Sequence, residues 1–399
     1  MIPSQPGARL AQPNFFAVLA LLWLAGLAMR LPLLVIPPVL PLIHDELHMS
    51  ETQVGALIGM PLTMFALAAI PGSLLIARFG AMRIAVAGLL LTAVAAASRG
   101  AAVDVWMLYG VTLVMGFGVA ILQPTMPTLV RAWIPQRMWL ANAVYTNGLT
   151  IGVVLGPTLT FPLVLPLVGG SWRRDLAVWA IPGLIAALAY VAVAQHPSTS
   201  AATKPAPDTP RRWWPSFGDP LIWLLGIALG TNNALFFAAN GFVPDFLTST
   251  GRGDWIGITL GWLNGSQLAA SLIFVLFADR LQRHSWPFTI FGPATVLGTI
   301  GIVLGDGVWI TLSAIVLGFA AAITFVVTFG LPAILSPPDD VHRMAGGMFT
   351  ISYTIAVLTP ILCGAFWDIT GVPWTAFVPI CICGVGLTIF GTILTVRRA

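Results

Sequence analysis

The chain has 399 residues, 58% of them apolar and only 8% charged, with 18 Lys and Arg against 14 Asp and Glu. Soluble globular proteins carry roughly 25% charged residues, and so few charges cannot coat a soluble protein of this length. That excludes a cytosolic enzyme, a nucleic-acid-binding protein and a disordered chain, and the mean hydropathy of +0.93 points to an integral membrane protein whose surroundings are the lipid bilayer.

Met1 to Asn14 is polar, contains Pro3, Pro6 and Pro13, and lacks the charged start and small-residue cleavage site of a signal peptide. The first apolar run is therefore read as a retained span. A span needs about 20 mostly apolar residues. Charges and Pro/Gly clusters divide the chain into twelve such runs, at 15–42, 52–77, 84–101, 104–130, 138–167, 174–195, 220–247, 254–278, 286–305, 308–334, 342–367 and 373–396. No ten-residue alternation of apolar and polar residues suggests a barrel, so the expected fold is an all-α membrane protein. Cys363, Cys381 and Cys383 fall in apolar segments with no His at metal-ligand spacing and read as small buried residues.

Most of the Lys and Arg residues fall on one side of this arrangement, at Arg9, Arg78/Arg83, Arg131/Arg137, Lys204/Arg211/Arg212, Arg280/Arg283, Arg343 and Arg397/Arg398. Arg99, Arg173, Arg174 and Arg252 fall on the other. The positive-inside rule makes the richer side cytoplasmic, with both termini inside, in a plasma (bacterial inner) membrane. Residues 196–219 form the one long polar interruption. They read as a cytoplasmic linker between a bundle at 1–195 and a second at 220–399.

The halves repeat. At an offset of 202 positions Gly55 falls on Gly257, Gly59 on Gly261, Arg78 on Arg280, Gly116-Phe117 on Gly318-Phe319 and Pro135 on Pro337. A tandem six-helix repeat implies two bundles related by an axis along the membrane normal, with a site between them at mid-membrane.

With these features the chain resembles the major facilitator superfamily of secondary transporters. Gly72 to Arg83, containing Arg78 and Gly80, resembles its signature loop after span two. The equivalent loop after span eight supplies Asp279 and Arg280, while Ala77 replaces the acidic residue of the first half. These four are the expected cytoplasmic gating residues. In span one, Leu24 to Leu34 with Pro38 and Pro41 resembles the cyanate and 2-nitroimidazole transporter subfamily, with Ala28 where that group carries Asn. No Gly-rich phosphate loop, Cys/His cluster or buried carboxylate pair is present, so no catalytic residue, metal or cofactor is expected, and the chain is expected to work as a monomer. The resemblance implies that spans three, six, nine and twelve lie against lipid.

Arg30 lies near the middle of span one. A charge at that depth costs about 2.5–3.5 kcal/mol on insertion scales, and no acidic residue falls in the middle third of any span. An anionic substrate supplies the missing counter-ion, and the planar guanidinium fork suits carboxylate-like groups. The repeat places Asn232 and Asn233 opposite Arg30, and a single Arg with neutral amides suits a monovalent anion. Asn147, Asn264, Gln267, Thr63 and Tyr353 complete the expected polar lining, and Phe236, Phe237 and Trp262 are candidate apolar walls. Any one amide serves equally well as glue between helices. Gly148, Gly152, Gly156 and Pro157 form a packing or hinge face on span five. His44 and Asp245, at the outer ends of spans one and seven, are the proton-coupling candidates. Uniport, anion exchange and symport with a substrate-borne proton all remain open. The alternative within the same fold is an exporter of drugs or other apolar compounds, with Arg30 structural.

Overall fold

The computed structural model describes residues 15–194, 215, 217–335 and 341–398. Most of the 196–219 linker lies outside the described residues. An apolar chain in hydrocarbon has to satisfy its backbone N–H and C=O groups internally, and every regular element described is helical. In chain order these are α1 (Phe15–Leu34), α2 (Ile36–Leu47), α3 (Glu51–Leu67), α4 (Ala69–Phe79), α5 (Ala81–Ser98), α6 (Val105–Trp133), α7 (Met138–Leu159), α8 (Leu165–Leu167), α9 (Trp172–Trp179), α10 (Ile181–Ala194), α11 (Pro220–Ser249), α12 (Ile256–Arg283), α13 (Trp286–Leu304), α14 (Val308–Leu335), α15 (Val341–Thr370) and α16 (Val378–Arg398).

Several spans are two helices end to end, and proline explains where they break. The first bends at Val35, just ahead of Pro37 and Pro38, which donate no backbone hydrogen bond. It continues to Leu47 rather than stopping at 42, because Ile36–Ile43 stays apolar until His48 ends the helix in the left-handed region (φ +49°). The second is interrupted at Ala68, ahead of Pro71. The fifth passes through a π turn at Thr160–Val164, which contains Pro162, before α8. Among the described residues ten helical stretches are long and apolar enough to cross a membrane; α3–α4 and α12, kinked at Phe277, complete the twelve.

Polar residues cap the helices where they leave the apolar phase. Ser50 Oγ accepts from the Gln53 amide while Gln53 Oε1 accepts from the Ser50 amide, a reciprocal cap at the start of α3. Asp104 caps α6 and Asp219 caps α11. Gly80 closes α4 at φ +82°, ψ 150°, a conformation open to glycine and strained for other residues.

The helices form two six-helix bundles, the first dominated by the α1–α7, α3–α6, α5–α6 and α5–α10 pairs and the second by α11–α15, α12–α14, α13–α14 and α13–α16. Small residues permit backbone contact. A Cβ on Gly148 would lie 2.2 Å from the Trp23 carbonyl oxygen, and one on Gly152 2.8 Å from that of Leu27, so the glycines of span five are the face against α1.

The bundles meet most closely where α3 crosses α15. A Cβ on Gly55 would sit 2.1 Å from the Pro360 carbonyl oxygen, and one on Gly364 2.0 Å from that of Glu51. Beside this crossing the Asp368 carboxylate of α15 caps α3 of the other bundle, accepting from the amides of Glu51 (3.0 Å) and Thr52 (2.8 Å) and from the Thr52 hydroxyl. A carboxylate at a helix N-terminus also complements the helix dipole. This end of the molecule is called the His44 end below.

Candidate functional site

The first span, Phe15–Leu47, has 33 residues, and Arg30 falls one residue from its midpoint. Arg30 is half-buried and lines a cavity of about 170 Å³ together with Thr146, Thr150, Asn232, Asn233, Phe236, Phe237, Gln267 and Phe325. α1 and α7 contribute one wall; α11, α12 and α14 contribute the other. No carboxylate among the described residues comes within salt-bridge distance of the Arg30 guanidinium. Tyr145 and Tyr353 lie within its electrostatic reach.

Five of the candidate site residues share the Arg30 cavity: Asn232 and Asn233, expected opposite it, with Gln267 of the polar lining and Phe236 and Phe237 of the apolar walls. They differ in what they have left to offer. Asn232 is 1% exposed, and its Nδ2 donates to both Ala321 O and Thr324 Oγ1, fastening α11 to α14. Asn233 Nδ2 donates to Ser352 Oγ (2.9 Å), which uses one of its two N–H groups. Gln267 begins a relay of amides. Its Nε2 lies 3.4 Å from Asn264 Oδ1, Asn264 Nδ2 donates to Asn240 Oδ1 (2.7 Å), and Asn240 Nδ2 donates to Phe236 O (2.9 Å). Asn264 is thus fully buried behind Gln267 and outside the cavity lining.

Tyr353 is buried between Phe65, edge-on at 5.4 Å, and Phe349, stacked at 6.1 Å, and shares a hydrogen bond with Gln123. Thr63 returns its hydroxyl to Gly59 O of its own helix. Asn147 is exposed and accepts from Trp23 Nε1 at 2.9 Å. Trp262 is 50% exposed and lines a separate, wider groove between α7 and α12, with Phe161 and Pro41. The structure does not bring these last three to Arg30. Helical rotation decides the matter: Asn147 is one residue off the Thr146–Thr150 face that does line the cavity.

An expected outcome separates glue from ligand. Asn232→Leu removes two hydrogen bonds between α11 and α14, which in membranes average about 0.6 kcal/mol and reach about 1.7. The variant melts at a lower temperature in detergent while its substrate affinity stays within about twofold. A tenfold loss of affinity at unchanged melting temperature would assign Asn232 to the substrate instead.

At the opposite end, Arg78 is exposed and lies over the Phe79 ring. Asp279 and Arg280 fall on the last turns of α12, and their side chains lie outside the described residues. At the His44 end, His44 Nδ1 is 3.5 Å from Asp245 Oδ2, so the two proton-coupling candidates do meet, across the boundary between bundles.

Two residues escape sequence reasoning. Arg99 counts as an outer-loop cation in the charge tally, yet it is 1% exposed and donates from Nη2 to Pro32 O at 2.9 Å. It folds back because the short turn after α5 leaves it beneath the kink of the first span, where a carbonyl needs a donor. Glu51, read as an ordinary outer carboxylate, is 9% exposed and joins His44 and Asp245. A weak signal existed for the cavity: Thr146 and Thr150 are four apart in an apolar run and share a helix face.

The sequence profile of the Major Facilitator Superfamily matches residues 20–265, more than half of the chain. The chain belongs to this superfamily. It is 26% identical to the 2-nitroimidazole transporter of Escherichia coli (strain K12), over 89% of each chain. It is also 26% identical to the cyanate transport protein CynX of the same strain, over 92% of this chain and 94% of that one. Among solved structures, a bacterial homolog of the human lysosomal transporter Spinster, inward-facing and occupied, superposes with a TM-score of 0.73 at 15% identity, covering 98% of each chain. The chain is thus a multi-pass transporter of the superfamily, and a small molecule is its substrate.

Proposed function

We propose that this superfamily member carries a small monovalent anion by alternating access, with Arg30 as the anion-binding cation. The observation that carries the reading is the Arg30 guanidinium at mid-span, half-buried in a cavity and without a carboxylate partner among the described residues. Burying a charge is costly unless it is paired, and an anion bound in the cavity pairs it. The size also fits: about 170 Å³ is well below the roughly 300–1,000 Å³ of drug-sized pockets. Asn233 and Gln267 supply neutral donors opposite the cation, and Phe236 and Phe237 exclude water around the ion. The relationship to a cyanate transport protein agrees with this substrate class.

The His44 end is taken as the outer one, both termini as cytoplasmic, and the membrane as the bacterial inner membrane. The close α3–α15 crossing then makes this an outward-closed state. The protein works as a monomer, since the cavity lies within one chain.

Counterflow in proteoliposomes tests the substrate class. Vesicles preloaded with a candidate monoanion accumulate the same labelled anion, and other small monoanions compete while neutral compounds of similar size do not. A neutral organic substrate is the competing reading, and one relative is named for 2-nitroimidazole. Counterflow of neutral compounds with no competition by any small anion would establish it, with Arg30 then structural. Preference for a dianion over its monoanion would overturn the assignment of charge.

A further inference from the structure

At the His44 end three metal-binding side chains converge from three helices. His44 Nδ1 lies 3.5 Å from Asp245 Oδ2 and 4.0 Å from Glu51 Oε1. A set of one ligand atom from each residue fits within 4.8 Å of one another. His44 and Glu51 belong to α2 and α3 of the first bundle, Asp245 to α11 of the second.

We infer that these residues form a binding site for a divalent transition-metal cation, with Zn²⁺ as the fitting example, that fastens the two bundles together. The inference stands apart from the anion cavity and holds whatever the transported substrate is.

The donors and their burial both point to a cation. Asp245 is 4% exposed, surrounded in sequence by Phe242, Val243, Phe246 and Leu247, all buried. The Glu51 Oε2 is buried with no hydrogen-bond partner, and the buried Asp245 Oδ2 has only the His44 ring, 3.5 Å away, to face. Carboxylate oxygens taken out of water need a donor or a cation. Asp368, the next carboxylate, is already committed to the amides of Glu51 and Thr52. A metal supplies charge to several of these oxygens at once.

The geometry is close to that of a bound ion and is reached by side-chain movements of about 1.5 Å or less. Tetrahedral Zn²⁺ holds N and O ligands at about 2.0–2.2 Å, which sets ligand atoms about 3.3–3.6 Å apart. The His44–Asp245 separation already has that value, the His44–Glu51 pair closes by about half an ångström, and the Glu51–Asp245 pair, within 4.8 Å, closes by at most about 1.5 Å. One imidazole with two carboxylates suits Zn²⁺ and its neighbours, whereas Ca²⁺ and Mg²⁺ take oxygen ligands in larger number. The His44 side chain keeps 27% of its surface exposed, so water can reach the fourth position and the ion has a way in.

A ligand that binds one state shifts the balance toward it. Because the ligands come from both bundles, opening this end pulls the site apart. A cation at a hundred times its Kd favours the closed state by about a hundredfold, so it slows the transport cycle.

The test uses untagged full-length protein, with Co²⁺ as the spectroscopic probe and Zn²⁺ as the competitor. Wild type is expected to bind one Co²⁺ per chain with the intense visible absorption of a four-coordinate ion, and Zn²⁺ is expected to displace it. His44→Ala and Asp245→Asn weaken Co²⁺ binding at least tenfold. Glu51→Gln serves as a third variant should Asp245→Asn fail to elute as a single folded species. In proteoliposomes, Zn²⁺ on the His44 side slows wild-type counterflow several-fold, and its half-inhibiting concentration rises at least tenfold in His44→Ala. Folded wild type that binds no Co²⁺, equal binding by the folded variants, or displacement by Ca²⁺ as readily as by Zn²⁺ would overturn the site. Loss of anion counterflow alone would bear on Arg30 and leave Co²⁺ binding unaffected.

Discussion

Arg30→Ala is expected to abolish anion uptake at normal membrane abundance. Removing one partner from a buried charge pair typically costs about 2–5 kcal/mol, which is roughly 30-fold to several-thousand-fold in affinity. The fold does not suffer in parallel, because the empty protein no longer carries a charge at a depth where insertion alone costs about 2.5–3.5 kcal/mol. Arg30→Lys is expected to fall between wild type and alanine: the charge survives, but the planar fork that takes two acceptor atoms at once does not. The measurement is initial uptake of labelled anion, normalised to protein in the membrane. Undiminished flux in the alanine variant would sink the mechanism, since nothing else in the cavity carries a positive charge among the described residues.

The second large effect is expected at the α3–α15 crossing. Gly55→Val places a side chain where even a Cβ would lie 2.1 Å from the Pro360 carbonyl oxygen. That neighbour is backbone, so no rotamer change relieves the clash. The two helices have to part, and the protein is held with its His44 end open. Transport is lost, while binding of substrate from that side survives. A cysteine at Ile58, which packs beside Gly241 of the opposite bundle, reports the opening once the three native cysteines are replaced. Its labelling by a water-soluble reagent rises at least tenfold in Gly55→Val. Gly265→Ala is the control, because a Cβ there meets nothing within 4 Å, and it transports normally. Flux within twofold of wild type in Gly55→Val would show that this crossing is not part of the cycle.

The twelve spans were readable because lipid imposes length and apolarity on each segment separately, so local composition carries the information. The opposition of Arg30 to Asn232 and Asn233 was readable because the repeat converts a sequence offset into a spatial relation. Rotation about a helix axis was not readable. In a span apolar on all sides nothing marks the inward face, and Asn147 and Trp262 accordingly point away from a cavity that Thr146 and Gln267 enter. Arg99 shows the same limit at a span end, where an arginine that turns back under a kink looks like one that stays in the loop. Glu51 was hidden for another reason. Its neighbours His44 and Asp245 come from different helices, and only the closing of one bundle on the other assembles the three.

The cap that Asp368 places on α3 has a consequence for energetics. A carrier has to visit both of its shapes often, so neither shape can be a deep well. The cap as a whole contributes only about 0.5–2 kcal/mol, the usual worth of a polar cap at a helix N-terminus, because water takes over both partners when they separate. Carboxylate and amides sit at the rim, with Asp368 itself exposed, so hydration is immediate once the rim parts. The latch therefore sets the register in which the bundles meet while adding little to the barrier against their release, as a hinged machine that turns over at thermal energies requires.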